Sequence, residues 1–100
     1  MDKSEVIKKL KRYKLLVSEH FDIDSLVLFG SYAKGNQNDD SDIDVAVVVN
    51  SIDKDYFTYA PLLWKLRREI DDRIEPVLME KERDDSGFLQ EILKTGLIIQ

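Results

Sequence analysis

The sequence contains no cysteine and a single histidine. Without cysteine there is no disulfide framework, no thiol nucleophile and no zinc–thiolate site. A cysteine-free chain also suits the reducing cytoplasm. No apolar run approaches the roughly 20 residues needed to cross a bilayer. The N-terminus, MDKSEVIKKLKRYK, is amphipathic and carries acids, and it lacks the apolar core of a secretory signal. The expectation is a soluble, cytoplasmic protein with no membrane partner. Internal repeats, low-complexity segments and linkers are absent too. Cations are in the minority: 15 Lys and Arg face 20 Asp and Glu, for a net charge of −5. Neutralising a nucleic-acid backbone needs clustered cations, so nucleic acid is not an expected partner.

What is present fits one compact domain, 1–100, with 43% hydrophobic residues to build its core. The charge is unevenly spread. Residues 1–20 hold six Lys and Arg against three acids, whereas residues 36–55 hold six Asp against one Lys. By composition this is a solvated helix followed by an acidic loop. The motif described below makes the acidic stretch a candidate cation site.

Asp2 and Glu5 form an N-cap and N3 pair for a first helix. Val6, Leu10, Tyr13 and Val17 recur at helical spacing, and the helix should end near His20. Ser25 to Phe29 is a short apolar run stopped by Gly30, which favours a buried strand. Residues 31–41 predict a short helical turn and then a loop. Asp42 to Val49 is a Val-rich strand, followed by a polar break over 50–55. A second long helix is expected over 57–71, with Pro61 near its first turn and Leu62, Leu63, Leu66 and Ile70 inward. Ile74 to Met79 is a third strand, in which Pro76 implies an edge, an end or a bulge. Residues 80–85 should be exposed. A last helix covers 86–95 with Phe88, Leu89, Ile92 and Leu93 inward and Gly96 as its C′ residue. Leu97 to Ile99 is a short strand or an exposed tail. The fold class is α/β (α+β): a small mixed sheet packed with helices.

The chemistry is concentrated in Gly30-Ser31, ten residues, then Asp42-Ile43-Asp44. Residues i and i+2 of a strand point to one face, so Asp42 and Asp44 lie side by side. Two adjacent carboxylates repel, and a divalent cation offsets that cost. Oxygen ligands without His or Cys suit Mg²⁺ or Mn²⁺. At Gly30-Ser31 a strand gives way to a helix start, where free N–H groups can receive phosphate oxygens. Glycine permits close approach, and the Ser31 hydroxyl adds a donor. Lys34 lies on the same turn, either reaching a phosphate or solvated. Glu75, flanked by apolar residues and extended by Pro76, is the best third carboxylate, unless it is a surface acid on an edge strand. A phosphate cradle beside a metal-binding acid set suits metal-assisted attack on a nucleoside triphosphate.

Gly30-Ser31-Tyr32-Ala33-Lys34-Gly35 followed by Ser41-Asp42-Ile43-Asp44 resembles the signature of the DNA-polymerase-β-like nucleotidyltransferase superfamily, and most closely its minimal nucleotidyltransferase branch. The resemblance covers about residues 25–79 by motif. It implies the polymerase-β-like fold. It implies that Gly30 and Ser31 contact the triphosphate, that Asp42 and Asp44 bind the metals, and that Glu75 is the third metal-binding, catalytic acid. Asp is the more familiar residue at that last position. The implied activity is transfer of a nucleoside monophosphate, with AMP from ATP the simplest case, onto a hydroxyl.

The motif begins after one helix and the third acid lies near the chain's end, so the resemblance implies an acceptor docked in trans. Small members of this branch are commonly paired with a helical partner, often of the HEPN type, and some act as antitoxins that attach AMP to a tyrosine of that partner. Tyr56 to Tyr59 and Leu97 to Ile99 are the expected partner surfaces, although both would serve a homodimer or the core. Two alternatives stay open: transfer to a small, aminoglycoside-like molecule with a separate substrate-binding subunit, and a non-catalytic binding module. Of the remaining residues, His20 and Asp71-Asp72 are expected to be solvated at helix ends and Trp64 to pack. Asp39 and Asp40 should be loop residues, and Tyr32 either packs the turn or edges the nucleotide.

Overall fold

The computed structural model describes every residue except Phe21, Asp39 and 51–55, and only the backbone of 56–58. Among the described residues nine elements follow one another: α1 (Lys3–Ser18), β1 (Ser25–Phe29), α2 (Ser31–Lys34), β2 (Ile43–Val49), α3 (Tyr56–Leu66), a 3-10 turn (Arg67–Glu69), β3 (Ile74–Glu80), α4 (Phe88–Thr95) and β4 (Leu97–Ile98). The four strands form one mixed sheet in the order β3-β2-β1-β4. β1 pairs antiparallel with β2 and β4, and β2 pairs parallel with β3. The parallel step exists because α3 carries the chain back between β2 and β3, as a parallel pair requires.

Strand alternation divides the core in two. Leu26, Leu28, Ile43, Val45, Val47 and Ile74 face α1 and α3, where they meet Val6, Leu10, Tyr13, Val17, Leu63 and Leu66. Val27, Ala46 and Val48 face α4, where they meet Leu89 and Ile92. The second face has one short helix for cover. Asp44, between Val45 and Ile43 in the alternation, therefore falls on the α4 face.

Helix α1 begins as its sequence predicts: the Asp2 carboxylate accepts the Glu5 N–H at 2.8 Å. It ends at Ser18, two residues short of the expected end. The α3 segment differs more. The regular helix stops at Leu66 and passes into the 3-10 turn, rather than running to residue 71. Pro61 is the sixth residue of α3, not in its first turn. It is exposed, so the ladder bond it withholds is lost on the solvent side. Asp71 is not a solvated helix end, because its carboxylate takes the Lys9 ammonium at 2.6 Å. Trp64 is 41% exposed and lies under the Arg67 guanidinium, 4.5 Å from its ring centroid, instead of packing in the core. The side chains of Tyr56, Phe57 and Thr58, proposed above as a partner surface, lie outside the described residues, as does Asp39. The polar break over 50–55 does so except for Asn50.

Pro76 sits on an edge strand, and the hydrogen bonds show why it is tolerated. The Ile43 N–H donates to the Arg73 carbonyl at 2.8 Å and the Lys81 N–H to the Val49 carbonyl at 2.7 Å. Alternate residues of a parallel strand bond the same neighbour, so odd-numbered β3 residues face β2 and even-numbered ones face the open edge. The missing N–H of Pro76 costs no ladder bond. The edge is blunted further. Arg67 Nη1 donates to the Ile74 carbonyl at 3.1 Å and also to that of Asp72.

Helix α4 spans 88–95, two residues shorter at its start than expected, and its inward set is half what the spacing implied. Leu89 and Ile92 are buried, but Phe88 and Leu93 are 48% and 47% exposed, because only one side of this short helix meets the sheet. Asp84 caps it from a distance, its carboxylate accepting the Leu89 and Gln90 N–H groups at 3.0 and 2.9 Å. Gly96 follows the helix with φ −90°, so a left-handed C′ residue is not formed. Its glycine is needed for room: a Cβ would lie 2.7 Å from the carbonyl oxygens of both Ile92 and Leu28. The C-terminal run is a strand, with Ile99 buried and its N–H donated to the Leu26 carbonyl at 2.8 Å.

Candidate active site

The site forms at the ends of three adjacent strands. β1 finishes at Phe29, and Gly30 turns the chain with φ 76° and ψ −150°, a conformation open almost only to glycine. The position excludes a side chain for a second reason. A Cβ on Gly30 would overlap the Asp44 carboxylate. The backbone of the turn and the acid of the neighbouring strand are thus in direct contact, which follows from the pairing of Phe29 with Asp44.

Helix α2 starts directly after the turn. Its ladder begins with the Lys34 N–H donating to the Gly30 carbonyl at 3.1 Å, so the N–H groups of Ser31, Tyr32 and Ala33 have no acceptor within the helix. Ser31 is half-buried at this end. Lys34 is exposed, and its ammonium makes no hydrogen bond or ion pair among the described residues. Tyr32 is fully buried and packs beneath the turn.

Asp42 is exposed immediately before β2, and Asp44 is the second residue of that strand, half-buried. The parallel register sets Glu75 beside Asp44. Burial, and then the Asp42 charge, hold the Asp44 carboxyl above the usual carboxylate range, against a hydrogen bond with Glu75 that lowers it. Glu75 is raised by burial first, then by the charges of Asp42 and Asp44 and by side-chain hydrogen bonds with both. The three acids expected from the sequence are therefore brought together. Phe29, Asp44 and Glu75 stand in a row across β1, β2 and β3, with Gly30 directly after Phe29 and against Asp44.

Among the described residues, no three His, Cys, Asp or Glu stand in the geometry of a formed metal cage. The three acids are instead crowded together, Asp44 and Glu75 as register partners on neighbouring strands and Asp42 two residues before Asp44. Their donor chemistry fits a hard divalent cation: the groups are oxygen-only, and their crowding is of the kind a double positive charge relieves. Two neighbours of the site were not anticipated. Arg67, which secures the start of β3, carries no sequence signal beyond its charge. Phe88 was expected in the core.

The chain belongs to the family described as Polymerase beta, Nucleotidyltransferase, whose model matches residues 8–100. It is 27% identical over 96 residues to a Methanocaldococcus jannaschii protein named "Putative protein adenylyltransferase MJ1379", covering 95% of this chain and 94% of that one. Two solved structures share the fold. One is described as "a putative nucleotidyltransferase from Sulfolobus solfataricus": TM-score 0.70, 21% identity, 96% of this chain and 80% of that chain. The other is a toxin–antitoxin with AMP-PNP: TM-score 0.62, 24% identity, 100% of this chain and 73% of that chain.

Proposed function

We propose that the protein transfers AMP from ATP onto a hydroxyl of a partner protein, using Asp42, Asp44 and Glu75 with a divalent cation. The observation that carries this reading is the contact between Gly30 and Asp44. That contact sets the glycine turn, which we assign to the phosphates, directly against the acids that we assign to the metal. Gly30, Ser31 and the free N–H groups of α2 receive the β- and γ-phosphates, and Lys34 is within the same turn to screen them. Asp42, Asp44 and Glu75 hold Mg²⁺ or Mn²⁺, which when bound neutralises charge on the phosphates and acidifies the attacking hydroxyl.

The acceptor oxygen bonds to the α-phosphorus, and the bond from that phosphorus to the bridging oxygen of pyrophosphate breaks. The hydroxyl proton passes to a carboxylate oxygen of Glu75.

A protein acceptor is supported by the name of the archaeal relative, and a toxin–antitoxin setting by the second structural likeness. The acceptor we favour is a tyrosine of a helical, HEPN-type partner, with this chain as the antitoxin in the cytoplasm. The test is incubation with Mg²⁺, native cell extract and ATP labelled at the α- or the γ-phosphate. A protein band labelled only from the α-position, and lost in Asp44→Asn, is expected. No label from a folded protein in a replete extract would refute the activity and leave a binding module.

A further inference from the structure

A groove of about 410 Å³ lies between β3 and α4, with Val77 and Met79 on the strand side and Phe88 and Leu89 on the helix side. It opens on the face that carries the three acids, because Val77 is the next residue after Glu75 on that face, about 7 Å along the strand. Phe88 meets Phe29 edge to face, with ring centroids 5.8 Å apart, and Phe29 is the ladder neighbour of Asp44. The groove thus begins where the row of acids ends. Phe88 and Val77 leave 48% and 38% of their surface exposed there.

The direction of the chemistry selects the occupant. Displacement at the α-phosphorus is in line. With pyrophosphate at Gly30-Ser31 and the acceptor hydroxyl at Glu75, that line runs across the strands from β1 to β3. The 5′-oxygen bearing the nucleoside lies off the line, in the plane perpendicular to it, and within that plane only a path along the strands keeps the nucleoside in contact with the sheet. One way leads off the end of the sheet into solvent. The other leads down its face into the groove. The charge of the groove agrees with the second way. Glu80, Asp84 and Asp85 line it against one cation, Arg83, a balance that repels polyphosphate and admits the uncharged end of a nucleotide. Its exposed aromatic ring and aliphatic floor suit a flat base.

We propose that the groove between β3 and α4 seats the base and ribose of the nucleoside triphosphate, with Phe88 and Val77 contacting the base. This rests on the nucleotidyl-transfer reading above.

The test uses the full chain with Mg²⁺ and two probes, α,β-methylene ATP and inorganic tripolyphosphate, titrated calorimetrically. Phe88→Ala and Val77→Gln alter side chains that are partly exposed, and a folded far-UV spectrum confirms each. Loss of a base contact should weaken the nucleotide by about tenfold and leave tripolyphosphate within about twofold. If Phe88→Ala does not fold, Val77→Gln carries the comparison. Unchanged nucleotide affinity in the folded variant overturns the proposal, and a transfer defect at unchanged affinity would assign the groove to the acceptor. If the unaltered protein binds neither probe, the nucleotidyl-transfer reading itself fails.

Discussion

Replacing Gly30 with alanine tests the contact on which the site is built, without any ligand. Two separable penalties are expected. The first is conformational: alanine at φ 76°, ψ −150° costs about 1–3 kcal/mol, whatever surrounds it. The second is steric, because the new methyl overlaps the Asp44 carboxylate. Forcing one extra carbon into a packed position costs a further ~1–3 kcal/mol. Urea unfolding should therefore place Gly30→Ala well below the parent protein. In an Asp44→Ala background the carboxylate is gone and the nearest remaining atom, the Cβ of residue 44, lies 3.3 Å from the added carbon, so it need give only slightly. The second penalty should then largely disappear while the first remains. The cycle should return a coupling of about 1–3 kcal/mol between positions 30 and 44. An equal cost of Gly30→Ala in both backgrounds would refute the reasoning, since the carboxylate would then not be what the glycine accommodates.

Two buried tyrosines should respond oppositely to loss of their hydroxyls. The Tyr32 hydroxyl is buried without a partner among the described residues, so Tyr32→Phe should raise the urea midpoint, by up to ~1–3 kcal/mol in stability. Tyr13 donates to the Leu63 carbonyl at 2.8 Å, and burial pushes its pKa upward, so Tyr13→Phe should cost about 1 kcal/mol. Equal effects in the two variants would contradict the assignment. A third prediction concerns acid. Burial raises the Asp71 pKa, but the Lys9 ammonium and the Arg73 N–H outweigh it and leave the folded value below the ordinary one. The stability it contributes is complete above about pH 4 and is lost as pH falls through the lowered value. Asp71→Asn should therefore be less stable than the parent at pH 7 and converge with it in strong acid. A pH-independent offset in urea unfolding would count against the ion pair.

Where the sequence was legible, the information was local. The buried set of α1, Val6, Leu10, Tyr13 and Val17, follows from helical spacing alone, and so does the cap at Asp2. The pairing of Asp42 with Asp44 follows from the two-residue period of a strand. Where expectation failed, the deciding partner was remote in the chain. Phe88 and Leu93 belong to an apolar stripe that no periodicity could assign to core or surface, and only one side of α4 finds the sheet. Gly96 was expected only as the C′ residue that ends the last helix. Its true constraint is the carbonyl of Leu28, 68 residues earlier by the numbering, which approaches too closely for a Cβ.

The same division runs through the site. The sequence by itself determined a glycine turn at a strand end and an acid pair at the next strand's start, because dihedral preference and strand alternation act over a few residues. It also supplied Glu75 as a candidate among many acids. Only the tertiary structure decided that Asp44 lies against Gly30 and that Glu75 stands beside Asp44. Those contacts depend on the register of an antiparallel and a parallel strand pair. Register is set by burying Ile43, Val45 and Val47 against α1 and α3 on one side and Ala46 and Val48 against α4 on the other, since a slip of one residue would turn every one of those side chains to the wrong face.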